Sequence, residues 1–223
     1  MATLKIAIDG PAGAGKSTIA KAVAKELNFI YIDTGAMYRA VGLGACRRGI
    51  DTTVHEDVIG ILDELDISIG HTEAGQQIYL NGENVSDEIR LPEISVAASN
   101  VAVIPAVRLK LVELQRSLAE KTDVIMDGRD IGTYVLPDAQ LKIFLTANPM
   151  ERAKRRFIEL TEKGVKTTLE EVAEDMAYRD KNDSGREFAP LKPADDSVLV
   201  DSTELTLQET IDKISNMAKE LKI

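Results

Sequence analysis

A glycine-rich loop near the amino terminus constrains the fold more than any other feature of the sequence. Residues 10–17 read Gly-Pro-Ala-Gly-Ala-Gly-Lys-Ser and match the pattern G-x-x-x-x-G-K-[ST]. Apolar residues at 4–8 predict a strand directly before the loop, and apolar residues at helical spacing over 19–27 predict a helix directly after it. A strand, a glycine-rich loop and a helix in this order are typical of a P-loop, which surrounds phosphate groups with backbone amides.

The loop defines a set of predicted ATP contacts. Lys16 would reach the β- and γ-phosphates, and the Ser17 hydroxyl would be a ligand of Mg²⁺, the expected cofactor. The competing interpretation is an ordinary glycine-rich turn with an exposed lysine, which the flanking strand and helix disfavour. The predicted ATP-binding residues are Gly10, Pro11, Ala12, Gly13, Ala14, Gly15, Lys16, Ser17 and Thr18.

A second motif follows a later apolar run. Residues 127–130 read Asp-Gly-Arg-Asp directly after the strand-like residues 124–126. In a parallel sheet this strand would deliver the Asp127 carboxylate beside the P-loop, with an arginine just beyond it. Asp127 is therefore the second predicted metal residue, acting on Mg²⁺ through water. An ordinary strand-end turn is the alternative, and the tetrapeptide alone leaves it open.

Short apolar runs separated by helical stretches predict an α/β fold. Such runs are typical of the buried strands of a parallel sheet with helices on both faces, so we expect one three-layer domain over residues 1–223. Between the second and third runs apolar and polar residues alternate, which predicts a small antiparallel sheet inserted near residues 63–97. A long helix over residues 106–119 would then return the chain to the core. The five predicted core strands are residues 4–8, 29–32, 124–126, 141–145 and 198–200.

Charge and cysteine content argue against several classes of function. The chain has 27 Lys and Arg against 37 Asp and Glu, a net charge of −10, which argues against a general nucleic-acid binder. Cys46 is the only cysteine, and with His55 and His71 it forms no zinc-ligand pattern. The sequence enters a strand-like pattern at once and has no apolar run of about 18 residues. We therefore expect a cytoplasmic protein that contacts neither nucleic acid nor membrane.

Eight arginines fall near the ends of the predicted strands or just beyond them. The guanidinium group suits phosphate because it donates two parallel hydrogen bonds. Three of these arginines are spaced i, i+3 and i+4 on one helix face, directly after the strand at 141–145. In a chain of net charge −10 they could equally be solvated counter-charges. The eight are Arg39, Arg108, Arg129, Arg152, Arg155, Arg156, Arg179 and Arg186.

Four ordered motifs together resemble the bacterial cytidylate kinase family over essentially the whole chain. They are GPAGAGKST at 10–18, DTGAMYR at 33–39, DGRDIGT at 127–133 and R-D-x-x-D at 179–183. The resemblance implies a P-loop nucleoside monophosphate kinase fold with a five-stranded parallel sheet, a CMP-binding region that contains the antiparallel insertion, and a short lid near residues 152–165. It also implies transfer of the ATP γ-phosphoryl group to CMP or dCMP in pyrimidine nucleotide metabolism, by a monomer.

The resemblance also assigns site residues. It implies CMP phosphate contacts from Thr34, Arg39 and Arg129, cytosine contacts from Ser99, Arg108 and Asp130, and ribose contacts from Arg179 and Asp183. Some members of the family carry Gly at the position of Ser17, so a direct contact from this hydroxyl to Mg²⁺ is not essential to the chemistry. The predicted catalytic residues are Lys16, Arg129, Arg152, Arg156 and Arg186.

The chemistry of the residues agrees with these roles. A carboxylate such as Asp130 can accept a hydrogen bond from the N4 amino group of cytosine and would repel the O4 carbonyl of uracil. No general base is required, because a phosphate monoester with a second pKa of about 6 is mostly dianionic at neutral pH.

Two other functions stay under consideration. Another small-metabolite P-loop kinase, for adenylate or shikimate, is disfavoured by the β-rich insertion and the DGRD motif. A regulatory module that binds ATP without transferring phosphate has little need for a second anion site lined by arginines. Whether CMP binds in addition to ATP discriminates the regulatory module from the kinases.

Overall fold

A computed structural model of the chain describes residues 3–72 and 75–221. The predicted domain limits at residues 1 and 223 lie outside the described residues. The helices and strands, in chain order, are β1 (Lys5–Asp9), α1 (Lys16–Leu27), β2 (Ile30–Asp33), α2 (Thr34–Arg47), α3 (His55–Ile61), β3 (Ile67–Thr72), β4 (Gly75–Leu80), β5 (Glu83–Asn84), α4 (Pro92–Val101), α5 (Pro105–Ala119), β6 (Val124–Gly128), β7 (Leu141–Thr146), α6 (Pro149–Glu162), α7 (Leu169–Gly185), β8 (Val198–Asp201) and α8 (Leu207–Glu220).

Five parallel strands form the central sheet in the order β2-β6-β1-β7-β8. Side chains alternate between its two faces, since Ile6 and Ile8 pack with α1 and α8 while Ala7 and Met126 pack with α5. Both faces are therefore covered by helices, and strands buried on both sides read as continuous apolar runs. The predicted α/β fold class and the five predicted core strands are confirmed.

The carboxyl ends of the strands bring three aspartates to one edge of the sheet. Asp33 at the end of β2 is paired in register with Asp127 of β6, and Asp9 at the end of β1 is paired with Gly128. Ligands of open parallel sheets bind beyond this edge, where the loops after the strands meet. Here those loops carry the P-loop and the DGRD segment.

The predicted insertion contains a three-stranded antiparallel sheet in the order β3-β4-β5. Its apolar side chains, including Ile78 and Leu80, pack in one cluster with Met37 and Val41 of α2. The last part of residues 63–97 is not strand but the first half of α4. Helices α2 and α4 approach closely at Gly42, where a Cβ atom would lie 3.0 Å from the backbone nitrogen of Ala98.

Helices α6 and α7 form a hairpin, and the segment predicted as a lid, residues 152–165, comprises most of α6 and the start of the turn that follows it. They pack together through Leu160, Val172 and Met176, and this cluster includes Ala12 of the P-loop. Among residues 3–72 and 75–221, no single helix is long and apolar enough to cross a membrane, and α4 and α5 reach that length only as a pair bent by 101°.

Candidate active site

A cavity of about 710 Å³ lies at the carboxyl edge of the sheet. Its walls come from the P-loop, α2, α4, α5, the DGRD segment and the α6–α7 hairpin. The structure thus brings together residues that are far apart in the sequence. The predicted site residues that line the cavity are Ala12, Gly13, Ala14, Gly15, Lys16, Ser17, Thr18, Thr34, Arg39, Ser99, Arg108, Asp127, Arg129, Asp130, Arg156, Arg179, Asp183 and Arg186.

The P-loop holds its lysine against its own backbone. The Lys16 ammonium donates to the carbonyl oxygens of Gly10 and Pro11, each at 2.7 Å. A side chain at Gly10 is impossible here, since a Cβ atom would lie 1.9 Å from the carbonyl oxygen of Leu145 in β7. Burial, with added repulsion from Arg129, holds the pKa of Lys16 well below its usual range. A bound phosphate would stabilise the charged ammonium, so Lys16 lies ready for an anionic ligand.

Asp127 forms the centre of the predicted metal site. Its Oδ2 accepts a hydrogen bond from the Ser17 hydroxyl at 2.8 Å, and its Oδ1 accepts one from the Tyr31 hydroxyl at 2.7 Å. Burial, followed by the charge of Asp33, raises the pKa of Asp127. The Tyr31 contact escapes sequence reasoning because this residue lies inside an apolar strand.

The Ser17 hydroxyl and the Asp127 carboxylate are chemically suited to Mg²⁺. A hydroxyl and a carboxylate are oxygen ligands of the kind that Mg²⁺ prefers, and the ion is commonly held by one or two carboxylates together with substrate phosphates. No group of three His, Cys, Asp or Glu side chains with metal-binding geometry occurs within the described part of the chain. One hydroxyl and one carboxylate beside the P-loop suit an ion that is also held by substrate phosphates.

An arginine cluster lines the opposite part of the site. Arg129 donates to Asp183 at 2.6 Å, and the Arg39 guanidinium lies 3.8 Å from the Asp33 carboxylate. Within the described residues, Arg179 has no hydrogen bond or ion pair to a side chain. Burial, followed by the charges of Arg129 and Arg39, lowers the pKa of Arg179 to about 9. A phosphate dianion would relieve this mutual repulsion, so the cluster is suited to a second anion.

A buried ion pair stands beside the arginine cluster. Arg108 has no exposed surface, and its guanidinium pairs with Asp130 and donates to the carbonyl oxygen of Ala102 at 3.1 Å. The Tyr38 ring lies 5.5 Å from the Arg108 guanidinium carbon. Ser99, also predicted as a base contact, accepts a hydrogen bond from the Asn182 amide at 3.3 Å. These groups offer hydrogen-bonding partners on the cavity wall for a polar ring.

Like Arg155, and unlike the other six predicted arginines, Arg152 lies outside the cavity lining. Its guanidinium donates to the Ala12 carbonyl at 2.8 Å and to Asp180 at 2.7 Å, and it does not line the cavity. Asp180 in turn accepts a hydrogen bond from the Ala12 amide at 3.1 Å. In this structure Arg152 braces the P-loop from outside, and its catalytic role stays a prediction. Gly10 and Pro11 also lie outside the cavity lining and contribute through the Lys16 contacts.

Sequence reasoning missed several residues of the site. Arg90, from the insertion, lines the cavity and pairs with Asp33 at 3.0 Å. Gln76 accepts a hydrogen bond from the Asp33 amide at 2.7 Å, which ties the inserted sheet to the end of β2. Tyr38 lines the cavity, and its buried hydroxyl has no hydrogen-bond partner in the described structure. The DTGAMYR motif contains Asp33 and Tyr38 and could have revealed both, whereas no signal in the sequence links Arg90 or Gln76 to the site.

The pKa of Asp183 predicts how acid affects stability. Burial opposes ionisation, but the charges of Arg129 and Arg186 hold this pKa below its usual value. The stabilisation from these contacts is therefore present above the unfolded pKa of about 3.9 and is lost as the pH falls through the folded pKa. We expect the urea midpoint of the wild type to fall more steeply between about pH 5 and pH 2 than that of Asp183→Asn. Asp63→Asn, at an exposed aspartate, is the control and should keep the wild-type slope; equal slopes for all three proteins would contradict the assignment.

Fold and cavity together define a P-loop protein whose cavity is also lined by a cluster of arginines. The loop follows β1, its lysine faces the cavity, and the carboxylate of β6 contacts the loop's serine. A solved structure of an uncharacterized protein from Eubacterium ventriosum has a TM-score of 0.54 at 16% identity, covering 98% of this chain and 99% of that one. At this identity the likeness concerns the fold alone.

Comparison with known sequences identifies the family. The cytidylate kinase family model matches residues 6–220. A cytidylate kinase from Caldicellulosiruptor saccharolyticus is 52% identical over 214 residues, which cover 96% of this chain and 95% of that protein. One from Clostridioides difficile is also 52% identical over 214 residues, covering 96% and 97%. The chain belongs to the cytidylate kinase family.

Proposed function

We propose that this protein transfers the γ-phosphoryl group of Mg-ATP to CMP or dCMP, giving ADP and CDP or dCDP. The observation that carries the proposal is one continuous cavity lined by a P-loop, an arginine cluster and the Arg108–Asp130 pair. A nucleotide triphosphate and a nucleoside monophosphate can then meet in one space. Family membership supports the same reaction.

The donor site consists of the P-loop and the residues around Asp127. Loop amides and the α1 N-terminus would surround the phosphates of ATP, and Lys16 would leave the Gly10 and Pro11 carbonyls to contact the β- and γ-phosphates. Ser17 and Asp127 would hold Mg²⁺, which supplies neutralisation of phosphate charge when bound. The buried setting strengthens each of these interactions, because competing water is scarce.

The acceptor phosphate would bind among Thr34, Arg39 and Arg129, with Arg179 and Asp183 on the ribose. The dianionic phosphate is already a nucleophile, so this chain need not abstract a proton. The residues must instead hold its oxygen in line with the γ-phosphorus and neutralise the combined negative charge. Three guanidinium groups on the wall of one cavity, those of Arg39, Arg129 and Arg179, suit that task.

Base selection would depend on Asp130, with Ser99 as a second contact. The Arg108 guanidinium holds the Asp130 carboxylate in place, so that this carboxylate can accept a hydrogen bond from the N4 amino group of cytosine. Uracil would present a carbonyl oxygen to the same carboxylate. Leaving such a buried group unsatisfied costs about 1–3 kcal/mol, which corresponds to roughly tenfold to hundredfold selectivity.

The proposed reaction requires two regions of the protein to move, the lid and the CMP-binding region. We place the lid near residues 152–165 and the CMP-binding region around the insertion at 63–97, within a single domain. Closure of both over the nucleotides would exclude water, which otherwise competes as phosphoryl acceptor. Arg156 and Arg186 already line the cavity, whereas Arg152 would have to exchange Asp180 for a phosphate.

The direct test is ADP release from Mg-ATP with CMP, dCMP, UMP, AMP and shikimate offered separately. Turnover largely confined to CMP and dCMP is expected. Asp130→Asn should lower the CMP-to-UMP ratio of kcat/KM by about tenfold to hundredfold. The carboxylate oxygen that repels the uracil carbonyl is replaced by an amide nitrogen, which can donate a hydrogen bond to it.

Asp196→Asn is the matched control for that experiment. Asp196 also pairs with a cation, Lys142 at 2.7 Å, but it does not line the cavity, so the ratio should stay at the wild-type value. Equal rates with AMP or shikimate would indicate another small-metabolite kinase. ATP binding without turnover on any acceptor would indicate the regulatory module.

The remaining expectations belong to the proposal as well. We propose that the protein acts on free nucleotides in the cytoplasm, as a monomer that needs neither nucleic acid nor a membrane. The net charge of −10 supports a protein that needs no nucleic acid, because a strongly acidic chain repels polyanions except at local basic clusters. The basic cluster here lies inside a cavity sized for small ligands.

A further inference from the structure

The three strand-end aspartates at the carboxyl edge of the sheet have different partners. Asp33 pairs with arginines and Asp127 with hydroxyl groups. Asp9 instead accepts two backbone hydrogen bonds, from the Ile131 amide at 2.8 Å and the Gly132 amide at 2.7 Å. No ion pair to Asp9 occurs in the described part of the structure. Its two oxygens therefore bind neutral amides of one backbone segment, and the described residues provide no cation as a direct partner.

That backbone segment begins directly after the base-selecting carboxylate. Residues Ile131–Val135 form a single π-helical turn, and Asp130 is the residue at its N-terminal boundary. Asp9 belongs to β1 and lies next to the P-loop, whereas the turn follows β6. The two hydrogen bonds thus fix the start of the turn, and with it the Asp130 backbone, relative to the strand that carries the P-loop.

We propose that Asp9 is a positioning residue for base selection, which sets the place of the Asp130 carboxylate relative to the P-loop. The inference rests on the proposed function, since it assigns to Asp9 the task of holding the cytosine contact, Asp130, at a fixed position relative to the ATP site. Asp9 does not itself contact either nucleotide in this assignment.

The chemistry of a carboxylate suits this task. It presents two acceptor oxygens and no donor, which matches two adjacent backbone N–H groups, whereas an asparagine would turn an N–H₂ group toward one of them. Asp9 is only 5% exposed, and burial raises its pKa to about 7, while its hydrogen bonds from the Gly132 and Ile131 amides oppose that rise. The two backbone hydrogen bonds therefore favour the charged, acceptor-only form of this carboxylate.

The turn has little freedom to move away from Asp9. A Cβ atom at Gly132 would lie 3.2 Å from the Lys142 side chain and 3.4 Å from the Asp9 carboxylate, so this glycine is held between them. On its other side Asp130 is fixed by the fully buried Arg108. Loss of the Asp9 contacts would free the turn on one side and let the Asp130 carboxylate shift.

The experiment compares kcat/KM for CMP and UMP, and the Kd of ATP, in four full-length proteins: the wild type, Asp9→Asn, Asp130→Asn and the double variant. Asp9→Asn should lower the CMP-to-UMP ratio about tenfold and change the Kd of ATP less than about threefold. In the Asp130→Asn background the same substitution should leave the ratio unchanged, because residues that act through one group are not additive.

Asp123→Asn is the matched control. Asp123 also accepts a backbone hydrogen bond at the sheet, from the Leu4 amide at 2.8 Å, but at the amino edge and away from the cavity. It should change thermal stability without changing the ratio. This separates a loss of stability from a loss of positioning.

Three outcomes would overturn the inference while leaving the proposed function intact. They are an unchanged ratio in Asp9→Asn, equal ratio losses in both backgrounds, or failure of both Asp9→Asn and Asp9→Ser to fold, which would assign the carboxylate to folding alone. If instead the wild type fails to phosphorylate CMP, the proposed function itself falls. The wild-type rate therefore distinguishes the two failures.

Discussion

Replacement of Lys16 by Met should lower kcat by about 10³-fold, the range seen when a single preorganised charge or donor is removed from a transition state. The Lys16 ammonium is buried and, within the described part of the chain, is bound by two backbone carbonyls; its pKa lies well below its usual range because of burial and the nearby Arg129. A negatively charged phosphate compensates that cost. The stabilisation that Lys16 gives to the phosphates grows as charge develops on the transferring group. The substitution should therefore lower kcat by a larger factor than it lowers the affinity for ATP.

Single-turnover kinetics with Mg-ATP and CMP would measure this effect, with calorimetry for ATP binding. Lys154→Met is the matched control, because Lys154 pairs with Glu151 on the exposed side of α6 and does not line the cavity. It should retain the wild-type rate. A loss in Lys16→Met of less than about tenfold would contradict the assignment of this lysine to the transferring phosphates.

The second large effect is expected from Arg108→Met. Arg108 has no exposed surface and its partner Asp130 is 4% exposed, so the substitution leaves a buried carboxylate without its cation. Breaking a buried pair in this way costs about 3–5 kcal/mol. At about 2–4 °C per kcal/mol for a chain of this size, the Tm should fall by roughly 6–20 °C.

A double variant separates the charge effect from packing. Arg108→Met with Asp130→Leu removes both charges and should regain much of the lost Tm, while base selection stays lost. Arg47→Met is the control at the surface, where Arg47 pairs with Glu83 and Glu88, and it should cost no more than about 1 kcal/mol. If Arg108→Met unfolds at the wild-type temperature, the pair does not contribute to stability as described.

The core of the fold could be predicted because its signals are local. Each strand of the central sheet is a short apolar run, and the strand before Gly10 and the helix after it follow from spacing alone. The alternating residues of the insertion likewise predicted its small sheet. The start of α4 at Pro92 within the insertion was not predicted, because no period of the apolar residues marks the change from strand to helix there.

The site was predictable only in part. Lys16, Ser17 and Asp127 follow from motifs whose spacing is set by the phosphate group itself. Arg152 and Arg156 carry the same charge on the same helix, yet one braces the P-loop and the other lines the cavity. Sequence spacing gives their shared face but not their partners, since Arg152 binds Ala12 of the P-loop and Asp180 of α7, whereas Arg156 pairs with Glu159 of its own helix.

The sequence by itself determined the P-loop, the parallel α/β core and the family, because local periodicity and motif spacing encode strands, helices and phosphate-binding turns. Only the tertiary structure decided how the carboxylates and arginines pair. Asp9, Asp33 and Asp127 are all strand-end aspartates in the sequence, but one binds amides, one arginines and one hydroxyls. Burial and charge act through space, so these differences exist only once distant segments meet at the edge of the sheet.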